Sequence, residues 1–148
     1  LKMFVDGAFL GEKLHLEEVG AVASKVSTNK EARVVLTDKM RQVGVNGGVV
    51  MEGRDVGTVV FPDAELKFYL DASAEERAKR RVKQLEENGQ KADYNAILAM
   101  IKERDYRDSH RAVAPLKPAK DAVVVDTSAL NMAQVIQKVM EKISQYAA

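Results

Sequence analysis

Read as a pattern of apolar and polar positions, the chain alternates short strands with longer helices. Leu1 to Leu10 reads as two short strands around Asp6-Gly7, a pair suited to a tight hairpin turn because glycine accepts positive φ. Val19, Val22, Ala23 and Val26 recur at helical spacing over residues 16–26. Asn29 can cap a second helix that carries Ala32, Val35, Leu36 and Met40 on one face. Gly44, Gly47 and Gly48 end that pattern. Gly48-Val49-Val50-Met51 predicts a strand buried on both faces of a parallel sheet, and Leu66 to Leu70 predicts a second, ending at Asp71. Ser73 and Glu76 suit a capping box for a helix whose Ala74, Ala78, Val82 and Leu85 turn inward. A helix from about Tyr94 to Arg111 buries Ile97, Leu98 and Ile101. Pro115 and Pro118 mark a loop, and Ala122 to Val125 predicts a third buried strand, ending at Asp126. Met132, Val135, Ile136, Val139, Met140 and Ile143 give the last helix a regular apolar stripe, expected to be core packing. Strands and helices in this order call for an α/β fold with a parallel sheet, whose ligands bind at the carboxyl ends of the strands.

Composition narrows the classes. With 46% apolar and 30% charged residues in 148, the chain fits one soluble globular domain. Twenty-three Lys and Arg against 22 Asp and Glu give a net charge of +1, too balanced for a domain held on nucleic acid by a general basic field. Without cysteine there are no disulfides or thiolate metal sites, and His15 and His110 are too far apart in sequence to suggest a metal pair. No apolar run reaches the ~20 residues that cross a bilayer, and the first residues do not form a signal peptide. A cytoplasmic location is expected.

Three constellations could carry chemistry. Gly53-Arg54-Asp55-Val56-Gly57-Thr58 follows the first expected buried strand; its glycines let the backbone turn close to a ligand, and the Arg54 fork suits phosphate. The same residues also fit a surface turn closed by an Arg–Asp pair, and spacing alone does not choose. Arg104, Arg107, Asp108 and Arg111 share one helix face, either a phosphate-binding face or a solvated charge run. Arg77, Arg80 and Arg81 precede the polar stretch 86–91, which could be a lid over phosphates or an exposed amphipathic face. None of the nine glycines is followed by Lys, so the phosphate loop G-x-x-x-x-G-K-[S/T] is absent, as is G-x-G-x-x-G.

Residues 52–64, Glu52-Gly53-Arg54-Asp55-Val56-Gly57-Thr58 through Phe61-Pro62-Asp63-Ala64, together with Ala74-Glu75-Glu76-Arg77-Ala78, Arg104-Asp105 through Arg111-Ala112-Val113-Ala114-Pro115-Leu116 and the closing Val125-Asp126-Thr127, closely resemble bacterial cytidylate kinases. The likeness runs through essentially the whole chain. Kinases of UMP, dAMP or shikimate lack the G-R-D-x-G-T-V-V-F-P run. The resemblance implies a P-loop kinase fold, with residues 1–45 as most of a monophosphate-binding insert and 46–148 as the core, including a lid at about 84–96. It implies transfer of the ATP γ-phosphoryl group to CMP or dCMP, with Mg²⁺ arriving on ATP, by a monomer. By the same resemblance, Ser24 and Arg33 contact cytosine, Asp55 accepts from its amino group, and Arg54 faces the phosphate or the base. Arg104 and Asp108 hold sugar and phosphate, and Arg111 faces the transferred group. Arg77 and Arg81 border the lid, and Lys117 lies in the loop near adenine. No residue of this chain is expected to bind metal. The family's opening strand, phosphate loop and helix, on the order of 30 residues, have no counterpart here. The sequence therefore reads as the C-terminal two-thirds of such an enzyme. The alternative is a catalytically silent nucleotide-binding fragment or interaction module.

Overall fold

The computed structural model describes residues 4–11, 14 and 16–147. Leu1–Met3, half of the expected first strand, and His15 lie outside the described residues. The hairpin consists of β1 (Phe4–Val5) and β2 (Ala8–Phe9), with Asp6 at φ 49° and Gly7 at φ 78° in its turn.

Two helices follow, α1 (Glu17–Val26) and α2 (Lys30–Gly44). As the sequence predicts, Asn29 caps α2: its Oδ1 accepts from the Ala32 N–H at 2.9 Å. The apolar stripes of both helices, however, face outward. Val19, Val22, Val26, Val35 and Leu36 are exposed, whereas Ser24 and Thr37 are buried. Polar contacts to the rest of the molecule, not apolar burial, decide which face turns inward.

The parallel sheet has two strands among the described residues, β3 (Phe68–Asp71) and β4 (Val123–Asp126), in register from Phe68↔Val123 to Asp71↔Asp126. The expected strand Gly48–Met51 is not formed. Residues 48–50 run without regular structure and Val50 is fully exposed. A β-strand needs a neighbouring edge to satisfy its N–H and C=O groups, and no described strand lies beside this segment. It leads instead into a π-helical turn at Val56–Val60, whose closing bond runs from the Phe61 N–H to the Val56 carbonyl at 2.7 Å. Gly44 of α2 leaves room for the Phe61 ring that follows this turn, since a Cβ there would lie 2.5 Å from it.

Helix α3 (Ala74–Glu87) and helix α4 (Tyr94–His110) pack together, and Ala78 of the first and Ile97 of the second are buried. Ser73 Oγ accepts from the Glu76 N–H at 3.1 Å, but the capping box is not reciprocal, because the Ser73 N–H donates to Ser128 Oγ at 3.0 Å. Arg80 pins α3 to the end of β4, donating to Thr127 Oγ1 at 3.1 Å and to the Thr127 carbonyl at 2.5 Å. Helix α5 (Met132–Ala147) opens with a reciprocal box between Asn131 and Gln134. Its stripe is not the packed core expected: Val135 and Val139 are half-buried, while Met132, Ile136, Met140 and Ile143 are exposed. None of the described helices is long and apolar enough to cross a membrane.

Candidate anion-binding site

Two buried carboxylates organise the site. Asp55 stands at the start of the π-helical turn, 8% exposed, and Asp108 in the last turns of α4, 2% exposed. A buried carboxylate needs cations or donors around it. Asp55 is paired with Arg33 from α2 and lies 3.5 Å from Arg111 Nη2. Asp108 Oδ2 lies 3.4 Å from Arg54 Nε and 3.7 Å from Arg104 Nε, and its Oδ1 lies 3.9 Å from Arg111 Nη1. Ser24 Oγ donates to Asp108 Oδ1 at 3.1 Å, which draws α1 onto α4. All seven residues that the resemblance assigned to the acceptor nucleotide are thus brought together by direct contacts.

The backbone around Arg111 explains the Arg-Ala-Val-Ala-Pro-Leu run. Arg111 ends α4, and Ala114 takes φ 50°, a left-handed conformation that costs a β-carbon residue on the order of 1 kcal/mol or more. The turn so formed aims the Ala114 carbonyl at Arg111, whose Nε donates to it at 2.6 Å. The Leu116 N–H closes the loop on the Asp108 carbonyl at 2.8 Å. Arg111 Nη1 also donates to Ser27 Oγ at 2.9 Å. Burial, and then the neighbouring Arg33, push the Arg111 guanidinium below the usual arginine range. It stays a cation, placed where like charges are crowded.

That crowding is the main property of the site. Arg33, Arg54, Arg104 and Arg111 share Asp55 and Asp108, and Arg54 also faces Asp105, which Arg77 already neutralises, leaving two positive charges in excess. Among the described residues, neither Arg54 nor Arg104 makes a hydrogen bond; both are held by ion pairs alone. Arg104 Nε, Arg111 Nη2 and Asp108 Oδ2 are buried without a hydrogen-bond partner. The two open guanidinium donors can take the acceptor oxygens of an anion, whereas the open Asp108 Oδ2 can take only a donor such as a hydroxyl. An anion carrying two charges and several acceptor oxygens matches the guanidinium groups.

The remaining predicted residues are placed differently. Arg77 grips Asp105 with both arms, at 3.0 and 2.6 Å, and donates from Nε to the Ala72 carbonyl at 3.0 Å. The Asp105 hydrogen bonds hold its guanidinium above the usual range. Arg81 donates to Gln84 at 2.6 Å along α3. Lys117 borders a small cleft of about 40 Å³ shared with Arg54, Asp55 and Tyr69. Ser27 and Asp105 have no role in the expectations drawn from the sequence. Ser27 lies one turn beyond Ser24, a signal that was available. Arg107, recognised only as part of a charged face, donates to Ser24 Oγ at 3.3 Å. Asp105 gave no local signal, since its partner Arg77 lies on another helix.

A small parallel sheet flanked by helices, with a compact arginine cluster where α1, α2 and residues 54–55 meet α4, defines the class: an α/β protein of kinase-type fold. A family model described as cytidylate kinase matches residues 1–145. The chain belongs to the cytidylate kinase family. It is 44% identical over 146 residues to the cytidylate kinase of Pasteurella multocida, covering 99% of this chain and 64% of that protein. It is 45% identical over 148 residues to that of Salmonella typhimurium, covering 100% and 65%. For Vibrio cholerae the identity is 46% over 143 residues, covering 97% and 64%. The chain therefore spans a little under two-thirds of the length of these relatives.

Proposed function

We propose that this chain forms the acceptor side of a kinase that moves the γ-phosphoryl group of ATP to CMP or dCMP. The observation that carries this reading is the pair of hydrogen-bond-free guanidinium groups, Arg54 and Arg104, beside the open Nη2 of Arg111. Together they supply the two excess positive charges that a phosphate monoester dianion requires. Phosphoryl transfer asks the protein for alignment and charge cancellation more than for covalent chemistry. Arg54, Arg104 and Arg111 bind the acceptor phosphate and offset its repulsion with the donor phosphates as the attacking oxygen approaches. Asp108 and Arg104 also hold the sugar, and Ser24 lies at the base.

Selectivity rests on Asp55. Two guanidinium groups contact its carboxylate. A carboxylate only accepts hydrogen bonds; it therefore welcomes the amino group of cytosine and repels the carbonyl oxygen of uracil at the same place. Arg33, paired with Asp55, contacts the ring from α2. Residues 1–45 then form most of the monophosphate-binding insert, 46–148 the core, and about 84–96 the lid. Arg81 and Lys117 stand toward ATP.

Bound Mg²⁺ neutralises charge on the donor's β- and γ-oxygens. In this reading the ion would arrive with ATP, as the counter-ion of the donor phosphates. No Gly-Lys pair in the sequence offers the donor phosphates a loop. Calorimetry on this chain tests the acceptor reading. CMP should bind about 10–100-fold more tightly than UMP, the worth of one charged hydrogen bond, and Asp55→Asn should erase the difference. Equal affinities for CMP and UMP in the unmodified chain would refute the role of Asp55.

A further inference from the structure

Arg54, like Arg104, is held in the cluster by charge alone. It makes no hydrogen bond, its side chain is 35% exposed, and two carboxylates one helical turn apart on α4 hold it by charge. Asp108 Oδ2 lies 3.4 Å from its Nε, and Asp105 Oδ1 lies 3.8 Å from its Nη1. Asp108 is shared with Arg104, Arg111 and Ser24. Asp105 is different, because both its oxygens are already bound by the fork of Arg77. Arg77 is anchored in turn to the Ala72 carbonyl, just past the end of β3.

This geometry has a specific consequence. A carboxylate gripped bidentately cannot also turn to take Arg54 in a second fork, but its residual negative field still reaches it. We propose that Asp105 is a positioning residue for Arg54 and that Arg77 is its restraint. The Arg77 grip keeps Asp105 near enough to steady the Arg54 guanidinium and prevents it from capturing that guanidinium away from the ligand. Arg77 belongs to α3, the helix that runs into the 84–96 stretch, so the orientation of α3 is tied to the phosphate-facing arginine. The role rests on the reading of Arg54 as a phosphate ligand.

The two ends of the clamp make opposite predictions. Without its restraint, in Arg77→Gln, Asp105 closes on Arg54. The Arg54 Nε–H, assigned by its disappearance in Arg54→Lys, becomes more ordered in ¹⁵N relaxation of the ligand-free chain. CMP affinity then falls about tenfold while the affinity for cytidine, which lacks the phosphate, is unchanged. In Asp105→Asn the same Nε–H becomes more mobile. Adding Asp105→Asn to Arg77→Gln restores most of the CMP affinity. General loosening of the fold would move both single variants in the same direction and would make the double variant worse. If one single variant does not fold, the sign of the change in the other decides. Unchanged Arg54 order in a folded variant overturns the proposal. Opposite order changes in a chain that binds CMP and cytidine equally would uphold the clamp and remove the phosphate-binding role of Arg54.

Discussion

At the scale of single residues, Asp108 is the member on which most contacts converge. It is 2% exposed, and it receives Ser24, Arg54, Arg104 and Arg111 at once. Removing one partner from a buried ion cluster leaves the others uncompensated, at a cost of about 3–5 kcal/mol. Asp108→Ala should therefore lower the urea midpoint by an amount equivalent to about 3 kcal/mol or more; a change within about 0.5 kcal/mol, as at an ordinary surface site, would show that the arginines do not depend on it. Arg104, Asp108 and Arg111 repeat at helical spacing in the sequence, which puts them on one face and leaves open whether that face binds phosphate or meets solvent. What was not legible was their environment. A charged helix face looks the same whether it meets solvent or a second charged segment, and only the return of residues 54–55 against α4 distinguishes the two.

At the scale of elements, short polar clips do much of the joining. The buried Lys67, just before β3, pairs with the exposed Asp121 in the loop that leads to β4. That hydrogen bond, with further help from the Asp121 backbone, keeps the Asp121 carboxyl below the usual carboxylate range. A group whose carboxylate form is favoured by folding stabilises the fold above its unfolded value, near pH 4, and the contribution disappears as pH falls through the lower folded value. Glu75 with Lys102 and Asp126 with Ser128 shift in the same direction. Asp121→Asn should therefore lower the thermal midpoint more at pH 6 than at about pH 3, where the contribution is being lost. A constant difference between the two pH values would show that the clip is not electrostatic. Helix positions and the caps at Asn29 and Ser73 followed from local pattern, since capping is a local hydrogen bond. The expected strand at 48–51 failed for the converse reason: a strand is completed by a distant neighbour, which no local pattern can supply.

At the scale of the whole molecule, apolar surface and charge are unevenly distributed. Val50, Leu70, Val124, Met132, Ile136 and Met140 are exposed, and the gap between β4 and α5, about 360 Å³, is lined by Val123 to Asp126 and by Lys138, Glu141 and Lys142. The apolar periodicity of α5 identified a face without showing what meets it. Charge tells the opposite story: a net +1 over the chain conceals a local excess of two at one site. Whole-chain balance argued only against a general polyanion field, and the arginine cluster is compatible with that because it is compact and countered by two buried carboxylates. The most direct test of this account is a crystal structure of the chain with CMP. Its phosphate is predicted to lie among Arg54, Arg104 and Arg111, with the cytosine amino group on Asp55. A phosphate bound elsewhere, with these arginines arranged as they are in the free chain, would contradict it.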